Sequence, residues 1–215
     1  MATNAKPHPL PDPDRAWLLR ALLVLQSPRA VFAAIHDDSE EEASARHEPV
    51  TALVWLAGIS CVLATPVAGR LFDDPVFDGI LAGIWAFLGG GLFGGSVYWA
   101  AGGLLHLAAR PLGTQGTYRR ARHVFGFAAA PLALALFAYW PIRIAVFGGD
   151  LFRSGGSDAG GHVWAAVFYV FVAWTLALVV VGVRTVHGWT WPRAVATVAL
   201  ATAAAAALVL PAALH

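Results

Sequence analysis

The chain has 215 residues, of which 58% are hydrophobic and 13% charged, and 14 basic against 13 acidic residues leave a net charge of +1. Soluble domains carry about a quarter charged residues, so a mean hydropathy of +0.64 excludes a soluble globule and a disordered chain alike. The balanced charge gives no global pointer to nucleic acid, and the single cysteine, Cys61, excludes an internal disulfide framework or a Cys-rich metal site. What remains is an integral membrane protein.

The polar part comes first: residues 1–49 hold five of the 14 basic and eight of the 13 acidic residues. Pro7, Pro9, Pro11 and Pro13 deny helix formation, so residues 1–13 read as a disordered lead-in. The next apolar run, Ala16–Leu25, is short and split by Arg20, and does not read as a signal peptide. From Asp14, read as the N-cap, Trp17, Leu18, Ala21, Leu22 and Leu25 recur at helical spacing. Ser27-Pro28 restarts a second short helix with Val31, Phe32 and Ile35 on one face. Residues 14–49 are therefore expected to form cytoplasmic amphipathic helices and an acidic linker, Asp37–Glu42. Two readings stay open for the helices: an anchor lying in the membrane interface, or packing on the end of the bundle or on a partner chain.

Five apolar segments follow, at about Val50–Ala68, Gly79–Ala109, Val124–Ile142, His162–Val183 and Ala194–Ala213. Crossing ~30 Å of hydrocarbon at ~1.5 Å per residue takes ~20 residues. Backbone polar groups in oil must be satisfied internally, so such runs are helices. The second run is long enough to tilt, kink or protrude. Short connections predict an all-α, five-transmembrane-helix bundle over residues 50–214. No internal repeat suggests an inverted-repeat transporter.

Lys6, Arg15, Arg20, Arg29, Arg46, Arg110, Arg119, Arg120, Arg122, Arg184 and Arg193 would share one side of that bundle; Arg70, Arg143 and Arg153 would lie on the other. The positive-inside rule then places the N-terminus in the cytoplasm and the C-terminus outside, in a plasma (inner) membrane. Asp73, Asp74, Asp78, Asp150 and Asp158 fall on the outer side. Trp55, Trp140, Trp164, Trp189 and Trp191 lie near expected helix ends, as an interfacial belt requires, while Trp85, Trp99 and Trp174 sit deeper. Arg143 is placed at the outer interface, where it can snorkel and where Asp150 could approach it.

The densest cationic group is Arg119-Arg120-Ala121-Arg122-His123, which with Arg110, Arg184 and Arg193 forms a cytoplasmic collar. Such a collar suits anionic lipid headgroups or an acidic partner segment, the chain's own Asp37–Glu42 run included; it would also arise from topology alone. His106 and His187 lie near the same face and would make a proton-handling or metal pair if their helices touch, but no HExxH or CxxC accompanies them. No metal or cofactor is expected. In the second segment Gly79/Gly83, Gly90/Gly94 and Gly91/Gly95 have G-x-x-x-G spacing and read as helix-packing positions, within the bundle or in a homo-oligomer. Ala203–Ala207 reads as another small packing face. No Asp, Glu, Lys, Arg or His lies near the middle of any segment, which argues against ion-coupled transport. Ser60 and Thr65 have no base beside them, so no enzyme is expected.

Several stretches in this order resemble the bacterial branch of the Yip1 domain family over residues 22–213. They are Ser27-Pro28-Arg29-Ala30-Val31-Phe32, a Gly-rich segment ending in Leu104-Leu105-His106, Gly113–Arg120 leading into Val124-Phe125-Gly126-Phe127 ahead of Pro131, and Val186-His187-Gly188 before Pro192-Arg193. The resemblance implies a five-helix bundle with a cytoplasmic N-terminus. Eukaryotic members act in vesicle traffic and bind small prenylated GTPases and one another. The Asp-Leu-Tyr-Gly-Pro block of those members is absent here, so GTPase binding is not carried over. The 13 arginines against one lysine fit a GC-rich bacterial source. The expected function is a non-enzymatic membrane scaffold or interaction protein, associating through small-residue faces and the basic collar. The alternative is a transporter or permease for a neutral or lipidic solute.

Overall fold

The computed structural model describes residues 19–35, 39–65, 67–68, 79–114, 116–148, 151 and 162–213, and no strand occurs among them. Asp14, Trp17, Arg70, Asp150, Arg153 and the rest of the outer-side acids lie outside the described residues, as does the lead-in. A helical turn at 19–23 precedes α1 (Pro28–Ala34), α2 (Glu40–Ala45), α3 (His47–Leu63) and α4 (Gly79–Ala109). A 3-10 turn over Arg110–Leu112 leads to α5 (Tyr118–Ala128), α6 (Ala130–Phe147), α7 (His162–His187) and α8 (Trp191–Ala213).

Four stretches, 79–112, 118–147, 162–187 and 191–208, are long and apolar enough to cross a membrane. The first expected span is shorter than its sequence suggests. As α3 it holds 17 residues, or ~25 Å of rise against the ~30 Å core. The third expected span is a broken one: α5 ends at Ala128, Ala129 caps it, and α6 begins with Pro131 in its first turn. Proline lacks the N–H that would continue the ladder and its ring crowds the preceding turn, which accounts for the break. Thr117 caps α5 by accepting from the Arg120 N–H at 3.2 Å.

The helices alternate in direction. Val54 and Gly58 of α3 meet Gly94 and Gly90 of α4, Tyr98 and Gly102 of α4 meet Gly126 and Arg122 of the next, and Gly182 of α7 meets Val124 of α5. α4 also packs on α8, and α7 packs on α6 and α8. This arrangement gathers the starts of α3, α5 and α8 and the ends of α4 and α7 at one end of the bundle. Outward faces stay apolar, with Leu92, Ile80 and Leu208 exposed, as lipid-facing helices require.

Of the two readings for the N-terminal helices, α1 takes the packed one. Val31, Phe32 and Ile35 are fully buried against α7 at the arginine-bearing end. The preceding turn divides its apolar residues: Ala21 and Val24 join the core, while Leu19, Leu22 and Leu23 face outward. That exposed leucine patch keeps the interfacial reading for the turn alone.

Candidate functional site

Arg110, Arg119, Arg120, Arg122, Arg184 and Arg193 all lie at this one end, placed there by the alternation of α4, α5, α7 and α8. Aromatic faces hold three of them. The Arg122 guanidinium lies 3.6 Å from the centre of the Trp99 ring and 4.9 Å from that of Tyr118. Its stem packs on Gly102, where a Cβ would collide with it. Arg184 sits 4.5 Å from Trp191 and Arg193 4.4 Å from Trp189. A guanidinium on an indole face gains ~0.5–2 kcal/mol and keeps its planar edge for other partners. The Nε atoms of Arg122 and Arg184 are buried without a hydrogen bond, while the cation as a whole keeps the electrostatic attraction of the ring face.

Gly188 makes the arrangement around Trp189 possible. Its φ of 64° is a conformation natural to glycine, and it lets the Trp189 N–H return to the Arg184 carbonyl at 3.1 Å. Trp189 then stacks on His187, with ring centres 4.4 Å apart. His187 joins α7 to the loop after α4. Its Nδ1 lies 3.0 Å from the Val183 carbonyl, and its Nε2 lies 2.7 Å from Thr114 Oγ1. A carbonyl only accepts, so in the neutral ring Nδ1 carries the proton and Nε2 accepts from the threonine hydroxyl. Thr114 Oγ1 in turn accepts from the Gly116 N–H at 2.9 Å.

His106 lines the same small pocket, of about 10 Å³, as His187 and Thr114, and its ring lies edge-on to Tyr118. The two histidines are therefore brought to one place, but both nitrogens of His187 are used in holding the loop. Among the described residues no group of three His, Cys, Asp or Glu side chains converges as a metal would require. An open cleft of about 380 Å³ is lined by Arg119, Arg122 and His123 together with Ala43, Ser44, His47 and Glu48.

The glycines of α4 divide into two groups. A Cβ on Gly90 would lie 2.6 Å from Ile59 Cα, one on Gly91 would strike the Trp55 ring, and one on Gly94 would strike the Val54 carbonyl. At Gly79, Gly83 and Gly95 a Cβ would meet nothing within 4 Å among the described residues, so these three are not close-contact positions between the described helices. Their spacing matches the pattern, but Gly79 and Gly83 lie past the level at which α3 closes at Leu63, and Gly95 is rotated off the face that Gly90 and Gly94 present to α3. Gly58 supplies the other half of the close approach and has no pattern in the sequence to mark it. The expected small face on α8 is largely outward: Ala203, Ala204, Ala206 and Ala207 are exposed.

At the opposite end Arg143 does not snorkel. It is 6% exposed, surrounded by Tyr139, Trp140, Phe147 and Trp164 at 5.5–6.0 Å. It donates to Tyr139 Oη at 3.2 Å, and Tyr139 donates to the Trp164 carbonyl at 3.1 Å. Trp140 likewise leaves the expected interfacial belt: it is buried and donates through Nε1 to Ser60 Oγ and the Ser60 carbonyl. Ser60, passed over as a nucleophile without a base, is thus an acceptor that ties α3 to α6.

A family model for the Yip1 domain matches residues 22–214, nearly the whole chain. The chain belongs to the Yip1 domain family. The match includes α1 and every described apolar helix, so the buried Phe32 and the arginine-bearing end are parts of this Yip1 domain. The protein is a multi-pass membrane protein of that family. Neither a curated protein nor a solved structure matches the chain.

Proposed function

We propose that this Yip1-domain chain is a non-enzymatic membrane scaffold that engages anionic lipid headgroups through its arginine-bearing end and other membrane proteins through its helices. The observation that carries the reading is the laying of Arg122, Arg184 and Arg193 on Trp99, Trp191 and Trp189 at the same end as Arg110, Arg119 and Arg120. Rings that fix guanidinium planes in place build a cationic surface, beyond what topology demands. Each basic residue near an anionic surface contributes ~1 kcal/mol. We assign that end to the cytoplasm and the membrane to the plasma membrane, with α3 as a fifth crossing that the bilayer meets by local thinning or by the chain flanking it. The void at mid-bundle is about 50 Å³, lined by Val54, Ala57, Phe93 and Phe125 with Thr175 as the one hydroxyl. It offers a permeating solute little polar contact, which weighs against a permease for a polar solute.

The test is extraction of the full chain with its surrounding lipid from membranes of mixed phosphatidylglycerol and phosphatidylcholine. Phosphatidylglycerol is expected to be enriched around the wild type and to return to the bulk ratio when Arg119, Arg120 and Arg122 are replaced by alanine. An unchanged ratio would remove the lipid part of the reading. Recovery of isolated monomers alone after cross-linking in intact membranes would remove the scaffold part.

A further inference from the structure

Between α4, α7 and α8 lies a groove of about 190 Å³, lined by Val97, Ala101, Leu104, Leu176, Val198 and Ala201, with Phe125 of α5 also lining it. Its lining hydroxyl, Thr202 Oγ1, is turned back on its own helix and donates to the Val198 carbonyl at 2.9 Å. The groove therefore presents hydrocarbon alone. Apolar cavities of ~150 Å³ stay dry and take up molecules such as benzene, so this one suits a run of methylenes.

One end of the groove reaches the collar. Leu105 lines both the groove and the small pocket that holds Thr114, Arg120 and His187. On α8, Arg193 precedes Val198 by five residues, or ~7 Å along the axis. Arg193 is exposed, is oriented by Trp189, and lies 3.0 Å from where a Cβ of Gly113 would stand. An apolar slot thus runs up to guanidinium groups over a distance that a glycerol ester and its phosphate span.

We propose that this groove is a binding site for one anionic phospholipid, its acyl chain lying along Ala101 and Ala201 and its phosphate at Arg193 and Arg120. The proposal rests on the lipid half of the proposed function and narrows it from a diffuse collar to one seat. The ligand is a lipid of the bilayer, because a water-soluble phosphate ester would forgo the groove.

The full chain in mild detergent is examined by native mass spectrometry with phosphatidylglycerol, with phosphatidylcholine of the same chains, and with glycerol 3-phosphate. One phosphatidylglycerol is expected to stay bound under activation that strips phosphatidylcholine, and glycerol 3-phosphate is expected not to bind. Ala201→Phe, which fills the groove, should abolish the retained lipid, and Arg193→Gln should cut the preference for phosphatidylglycerol at least ~10-fold, the loss of about one charge-assisted hydrogen bond. Ala205→Phe fills the same groove from one turn further along, and thermal unfolding identifies which variants are folded. Retention of the lipid by a folded groove-filled variant overturns the proposal, as does equal retention of the two lipids. Loss of a dimer instead of a lipid in Ala201→Phe would assign the groove to a second copy and overturn it too. Enrichment of phosphatidylglycerol around the wild type with no single retained molecule would overturn the seat and leave the collar standing.

Discussion

Gly58 and Gly90 bring two helix backbones into contact, and the absence of a Cβ on each is the whole basis of that approach. Replacing Gly90 by alanine places a methyl 2.6 Å from Ile59 Cα. A backbone cannot give way as a flexible side chain can, so the helices must separate, at a cost of about 1–3 kcal/mol. Gly95→Ala adds a methyl to open space and should be neutral or slightly stabilising. Melting temperatures of the two variants in the same detergent check this, with a drop expected for Gly90→Ala alone. The G-x-x-x-G spacing announced small-residue packing in α4, but a repeat of four residues does not say which face meets a neighbour. Gly58 was illegible because a single glycine in an apolar run carries no pattern. The Ser60–Trp140 bond was illegible because its partners are 80 residues apart.

At the scale of elements, α1 is the case where amphipathicity was readable and its use was not. The periodicity of Val31, Phe32 and Ile35 required an apolar partner, and either lipid or protein would have satisfied it. The structure places Phe32 near Gly182, where a Cβ would stand 3.2 Å from the Phe32 ring. Phe32→Ala removes the main apolar contact of α1 and should weaken its docking by about 3 kcal/mol. Protease cleavage between residues 35 and 47 tracks the undocked population and should then rise on the order of 100-fold. Leu22→Ala changes a residue that is 72% exposed and should leave that cleavage unchanged. A rise in both, or in neither, would mean that α1 is not held by this contact. Arg143 teaches a similar point: its position in the sequence gave its depth, but the ring of aromatic side chains that encloses it comes from α6 and α7 together.

For the whole molecule, the hydropathy of the chain carried the architecture because lipid leaves the backbone so few options. Four crossing helices and their order were legible, and the arginines were already segregated before any helix was built. The first span was not read correctly in length: its apolar run extends to Ala68, but the described helix closes at Leu63 with the Ala64 N–H turned to the Cys61 carbonyl. Whether α3 nevertheless crosses decides the sidedness of everything else, because five crossings put the termini in opposite compartments and four put them together. The direct measurement is labelling of single engineered cysteines, in a Cys61→Ala background, with a membrane-impermeant maleimide on intact and opened cells. Cysteines at positions 8, 119 and 190 are expected to react only after opening, and one at position 214 on intact cells. Labelling of positions 8 and 214 in the same compartment would contradict the account.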